Sequence, residues 1–199
     1  MSPGPTFDRV YAALKAQLLE GIWPPGARLE PGAIGEDLLA SVTPVRDALH
    51  RLVGEGLVEA PRHDGFWVPV LTEVQLRGLY RWNGDLAALA LRRQRDASPA
   101  TMNDPDPDAL FLTIARSADN PELVRAVAAG NDRLAPFRAV ERDVLTGIRS
   151  ELGEIAELLR AGSAARLRRR VAAYHRRRLR ATPLILEARR RGAHRETAP

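Results

Sequence analysis

Between positions 41 and 50 the chain carries Ser41, Thr43, Arg46 and His50, hydroxyl, guanidinium and imidazole groups at spacings that one helix would hold close together. A helix starting here leaves its first-turn N–H groups unpaired at the positive end of its dipole. With the two hydroxyls, they favour an anion such as phosphate. Arg46 adds the side chain best fitted to the edge of guanine, and His50 follows one turn later. The plainer reading of the same residues is a cap by Thr43 and a solvated Arg46. Arg62, His63 and Gly65 form a second small group in a polar turn, able to touch a nucleic-acid backbone or simply to face water.

A further set lies near the end of the chain. Leu167, Val171, Tyr174 and Arg178 recur at i, i+4, i+7 and i+11, one face of a helix, with His175 beside Tyr174. An arginine held inside asks for a carboxylate or phosphate, so these residues point to a pocket for a small organic effector, an anionic one if Arg178 faces it. The alternative is simple packing, with Arg178 reaching out to water. Catalytic patterns are missing: there is no Ser-His-Asp spacing, no glycine-rich phosphate loop and no H-E-x-x-H. The acid pairs Glu151/Glu154 and Glu154/Glu157 read as an exposed helix flank. The expectation is a binding protein rather than an enzyme.

The elements that must position these groups follow from periodicity. Phe7, Val10, Tyr11, Leu14, Leu18 and Ile22 predict an amphipathic helix ended by Gly21, and the Trp23-Pro24-Pro25-Gly26 run predicts a turn. A short second helix holds Ile34, Leu38 and Leu39. A third, capped by Thr43 with Pro44 in its first turn, buries Val45, Ala48, Leu49 and Leu52. Residues 57–60 and 65–70 read as two strands of a hairpin, which completes the outline of a winged helix-turn-helix. From Glu73 onward no strand is predicted; about six helices follow, over 73–90, 109–117, 121–130, 134–146, 148–161 and 163–181. A loop is predicted at 97–107 and a break or kink at Pro183. The fold class is therefore mainly α with a small β wing: residues 1–71 a winged helix-turn-helix, 72–192 an all-α bundle for effector binding and dimerisation, and 193–199 a disordered tail.

Composition sets limits on this reading. The chain has 199 residues, no cysteine and a net charge of +5. Disulfides and thiolate metal sites are excluded. No apolar run is long enough to span a bilayer and the start lacks a leader pattern, so the expected location is cytoplasmic. The charge is unevenly spread: residues 1–75 sum to −4 and the remainder to +9, with arginines bunched at 166–170, 175–180 and 189–191.

The segment Gly21-Ile22-Trp23-Pro24-Pro25-Gly26-Ala27-Arg28-Leu29, followed by Ser41-Val42-Thr43-Pro44-Val45-Arg46-Asp47-Ala48-Leu49 and by Glu55-Gly56-Leu57-Val58, resembles the GntR family of bacterial transcription regulators. Leu110-Phe111 and Asp119-Asn120-Pro121-Glu122-Leu123 are similar to the all-α sensing domain of its FadR subfamily. The resemblance implies a ligand-responsive regulator, a repressor, that binds a pseudo-palindromic operator in double-stranded DNA as a homodimer. Together with the helix geometry above, the expected DNA contacts are Ser41, Thr43, Arg46, His50, Arg62, His63 and Gly65, and the expected effector contacts are Asp108, Tyr174, His175 and Arg178. The sequence departs from the family pattern at Gly32 and Val42, where an Arg is usual, at Leu39, where a turn glycine is usual, and at Asp64 before Gly65. Many members of the subfamily bind a divalent metal through one Asp and three His. Here Asp108 and His175 remain while Leu112 and Leu152 stand at two ligand positions, so no metal or other cofactor is expected. The alternative is a drifted member that dimerises or coats nucleic acid through its Arg-rich last helix.

Overall fold

The computed structural model describes residues 5–61, 64–93 and 106–195. Contacts divide the chain into two units, residues 1–71 with 189–199, and residues 72–188. The first holds helix α1 (Pro5–Glu20), strand β1 (Arg28–Leu29), α2 (Pro31–Asp37), α3 (Val42–Gly54) and strand β2 (Phe66–Trp67). Its core is made by the i, i+4, i+8 row Val10, Leu14 and Leu18 of α1 against Val45, Ala48, Leu49 and Leu52 of α3, closed by Leu29, Ile34, Val58 and Phe66. Each fully buried Leu there contributes about 1.5–3 kcal/mol. At the far end of α3, Glu55 accepts from Tyr11 at 2.6 Å and pairs with Lys15 at 2.9 Å, which fixes the angle of α1 on α3.

The turn between α2 and α3 explains one departure noted above. Leu39 adopts φ +49°. Its N–H donates to the Glu36 carbonyl at 3.3 Å, and the N–H of Ala40 donates to the Gly35 carbonyl at 2.9 Å. These are the two bonds of a Schellman ending, whose left-handed position usually falls to glycine because a side chain there costs roughly 1–2 kcal/mol. Arg9 of α1 braces the strained residue, donating to the carbonyls of Leu38 at 2.7 Å and Leu39 at 3.2 Å. The close approach also demands Gly35, since a Cβ there would stand 2.7 Å from the Ala40 carbonyl oxygen.

The wing differs from the predicted hairpin. β2 pairs antiparallel with β1, Arg28 opposite Trp67 and Leu29 opposite Phe66, while residues 57–60 contribute only an isolated bridge from Glu59 to Trp67. Two residues of β1 after a Pro-Pro-Gly turn carry no periodic signal. Leu57 and Val58 instead turn into the core.

The second unit is built from α4 (Glu73–Arg93), α5 (Pro107–Arg116), α6 (Pro121–Arg138), a single 3-10 turn (Glu141–Asp143), α7 (Ile148–Arg160) and α8 (Ala164–Arg195) as far as Ala188. Thr72 and Gln75 form a reciprocal cap at the start of α4, and Asp106 and Asn120 cap α5 and α6 through their side chains. The core joins Leu86 and Ala90 of α4, Leu110, Phe111 and Ile114 of α5, Leu123 and Val127 of α6, Leu152, Ile155 and Leu159 of α7, and Leu167, Val171 and Tyr174 of α8.

Three predicted helix boundaries are corrected. The separate helices at 121–130 and 134–146 are one helix that runs to Arg138 with Pro136 inside, then the 3-10 turn. Pro136 falls in the last turn, so the bond lost with its missing N–H lies next to the end of the helix. Pro183 does not break α8. The Thr182 hydroxyl lies 3.0 Å from the Arg178 carbonyl and 3.2 Å from the Leu179 carbonyl, the one deprived of its usual N–H partner by Pro183, and its single proton is shared between the two. The bundle therefore has five α-helices among the described residues, not six. The predicted loop at 97–107 lies almost wholly outside the described residues, and α8 continues to Arg195, into the predicted tail, of which 196–199 lie outside them.

Candidate nucleic-acid interface and interior polar cluster

The sequence of α3 sorts its two faces. Val45, Ala48, Leu49 and Leu52 are buried, while Ser41, Val42, Thr43, Arg46 and His50 are exposed. The helix begins at Val42 and its N-cap is Ser41, so Thr43 sits at the second helical position and is not the cap. No side chain caps the first turn. Pro44 accounts for this: it occupies the third position, whose N–H a capping Ser would ordinarily bind, and it has none to give. The N–H groups of Val42 and Thr43 and both hydroxyls stay free for an outside acceptor. Arg46 makes no hydrogen bond or ion pair with another described residue. His50 is exposed but rests edge-on against Phe66, ring centroids 4.9 Å apart, and so ties α3 to β2.

At the wing, Gly65 has φ +88°, and a Cβ there would stand 3.6 Å from Arg28 Nε. Arg28 lies over the Trp67 ring at 5.6 Å and pairs with Glu30 at 2.8 Å. Arg28 thus supplies a cation beside the wing that the sequence reading missed; the signal was its place opposite Trp67, visible only once β1 is known. Arg62 and His63 lie outside the described residues. Arg51, the other cation of α3, is engaged by Glu55 and the Tyr11 ring.

The comparisons with known proteins bear on this helix. Residues 6–68 match the family model described as bacterial regulatory proteins, gntR family. Over residues 6–68 the chain is similar to gntR-family regulatory domains. It is 38% identical over 78 residues to the HTH-type transcriptional regulator McbR of Escherichia coli, covering 39% of this chain and 35% of that protein. It is 23% identical over 138 residues to the HTH-type regulator YdhC of Bacillus subtilis, covering 68% of this chain and 62% of that one. The chain thus spans less than two thirds of the curated relatives it matches. A GntR transcriptional regulator from Rhodococcus sp. RHA1 has the same fold, with a TM-score of 0.72 at 20% identity over 92% of this chain and 98% of that one. The E. coli McbR/YncC structure superposes at 0.65 and 21% over 92% and 99%. These relatives are named as transcriptional regulators, not enzymes. No described helix is long and apolar enough to cross a membrane.

The helical unit holds the second predicted set. Leu167, Val171, Tyr174 and Arg178 all face inward as their spacing predicts. Arg178 is 0% exposed, so it does not reach water. Its Nε donates to Glu141 at 2.9 Å, its Nη1 to Glu151 at 2.5 Å, and its guanidinium stacks 3.5 Å from the Tyr174 ring centroid. Glu151 is 3% exposed, which corrects its reading as part of an exposed flank; Glu154 and Glu157 do lie outside. A single acid on the apolar face Ile148, Leu152 and Ile155 was the signal for it.

A second layer adjoins. Arg138 binds Asp108, the Asn131 oxygen at 3.1 Å and the Asn83 oxygen at 3.1 Å, and Asn83 donates to Asn131 at 3.1 Å. His175 sets Nδ1 2.9 Å from the Val171 carbonyl and Nε2 3.0 Å from the Asn83 oxygen. Burial, with the charges of Arg138 and Arg178 nearby, pulls its pKa down to about 3, so the ring is neutral. Burial likewise raises Tyr174, and raises Asp108 despite Arg138. Tyr80 donates to Glu141 at 2.7 Å.

These residues do not fit the divalent metal that the resemblance implies. The Asp108 carboxylate is taken by Arg138, both His175 ring nitrogens lie against protein oxygens with the neutral ring donating to one of them, and Leu112 and Leu152 offer no lone pair. Nor does Arg178 call for an outside anion, because Glu141 and Glu151 already balance it, with Arg177 paired to Glu151 as well. What is left open is a set of donors: Arg138 Nε, Arg178 Nη2 and Tyr174 OH are buried with no hydrogen-bond partner among the described residues. Of these three residues Arg138 lines a cavity of about 680 Å³ with Glu141, Leu145, Ile148 and Leu152 among others, while His175 lines a different one of about 390 Å³ with Gly84, Val171 and Leu179 among others.

Proposed function

We propose that the chain is a ligand-responsive transcription regulator, a repressor, that binds a pseudo-palindromic DNA operator as a homodimer. The observation that carries this reading is the outer face of α3 in a gntR-family domain: first-turn N–H groups, the Ser41 and Thr43 hydroxyls and a partnerless Arg46, all open to solvent. Such groups position a helix on phosphates and read a guanine edge in the major groove. A protein two-fold then makes the operator a pseudo-palindrome with half-sites about one helical turn apart.

The effector in this reading enters the helical unit. Three buried donors without partners favour a small organic molecule that presents acceptor oxygens, since each unpaired donor costs roughly 1–3 kcal/mol until it is met. Tyr174, His175 and Arg178 shape that site, with Asp108 acting through Arg138; binding shifts the spacing of the two recognition helices. The test is selection of bound duplexes from a random pool at fixed salt, followed by sedimentation of the complex. Paired half-sites bound by two chains support the reading; a bound sequence without a repeat, or one chain per duplex, counts against it.

A further inference from the structure

Val42 is the first residue of α3 and lies 47% exposed. It shares the solvent face with Arg46 and His50 at i, i+4 and i+8. Leu39, in the turn just before, is 89% exposed. Scattered surface hydrophobics need no explanation, but these two flank a helix start whose other outward groups are all polar: Ser41, Thr43 and Arg46. Val42 is also fixed in place. The bracing of the preceding turn by Arg9 and the packing of Val45 leave the first turn of α3 one position to occupy.

A recognition helix touches bases through the residues of its N-terminal turn. The edges of base pairs in the major groove carry hydrogen-bonding atoms and one apolar group, the 5-methyl of thymine. An isopropyl side chain can gain nothing from the former. We infer that Val42 is a specificity residue that reads a thymine methyl, one helical turn from the base pair met by Arg46. The half-site thus pairs a G·C contact with a neighbouring A·T contact in a fixed order. This rests on α3 being the recognition helix.

The experiment uses the full chain and duplexes obtained by selection from a random pool. Each thymine of the selected half-site is replaced in turn by uracil, which removes the methyl and nothing else, and affinity is read by fluorescence anisotropy at constant salt. Wild type is expected to lose about fourfold at one thymine, the worth of a single buried methyl. Val42→Ala, at a half-exposed position that tolerates truncation, is expected to bind the thymine and uracil duplexes within a factor of two of each other. If no uracil replacement weakens wild type, or if Val42→Ala keeps the full fourfold difference, the inference is overturned while α3 remains the recognition helix. If wild type selects no sequence at all, both fail together.

Discussion

His175 offers the sharpest quantitative test of the helical unit. Its ring is buried between Phe111 and Tyr174, and its pKa in the folded protein is about 3 against an ordinary 6.5. The unfolded chain therefore takes up a proton near pH 6.5, whereas the folded chain resists doing so until about pH 3. The stability that this neutral ring contributes is complete above pH 6.5 and is lost as pH falls toward 3, at up to 1.36 kcal/mol per pH unit. Between pH 7 and pH 5 the loss comes to about 2 kcal/mol. In His175→Gln the residue cannot titrate, and every other acid and base cancels on subtraction. Urea unfolding followed by Trp82 fluorescence, in a chain with Trp23 and Trp67 changed to Phe, isolates the helical unit. The variant is expected to be less stable than its parent at pH 7 and to close that gap by about 2 kcal/mol at pH 5. Parallel pH profiles would refute the burial of a neutral imidazole.

Other perturbations follow from the same geometry. Arg178→Met leaves Glu141 and Glu151 without the guanidinium that bridges them and is expected to cost about 3–5 kcal/mol in the same unfolding assay. Adding Glu141→Gln and Glu151→Gln to that variant removes the stranded charges and is expected to recover part of the loss. In the amino-terminal unit, Leu39→Gly relieves the left-handed strain of roughly 1–2 kcal/mol, less about 0.4–1 kcal/mol for the freer unfolded chain, and is expected to raise stability slightly. Gly35→Ala drives a Cβ against the Ala40 carbonyl and is expected to lower stability by about 1–3 kcal/mol; both are read as shifts in the thermal midpoint.

What could be read from the residues was the part governed by local periodicity. The α1 and α3 faces and the inward row Leu167, Val171, Tyr174 and Arg178 follow from spacing; Leu38 and Leu39, expected in the second helix, lie past its end at Asp37, and only the family pattern marks Leu39 as a turn position. The missed features depend on partners distant in sequence. β1 is two residues long and becomes a strand only because Phe66 and Trp67 lie against it. Asn83, Arg138, Glu141 and Glu151 look like ordinary polar helix or turn residues until four segments bring them around Arg178 and His175. Pro183 argued for a break, and only the Thr182 hydroxyl shows why the helix continues.

The charge pattern also changes meaning. The acidic first 75 residues contain the helix proposed to meet DNA, so affinity must come from a few placed groups rather than from a general positive field. The surplus of arginine on α8 is partly consumed inside the molecule, by Glu141 and Glu151 at Arg178 and by Glu154 at Arg170.

The central claim is that α3 reads DNA through Arg46. Its most direct test is the affinity of wild type and Arg46→Ala for the selected duplex and for a scrambled one, across a range of salt. The substitution is expected to remove about 1–3 kcal/mol of preference for the selected sequence while the protein stays folded. An unchanged preference, or steep salt-dependent binding to both duplexes alike that survives deletion of residues 1–70, would contradict it and assign nucleic-acid binding to the arginines of α8 instead.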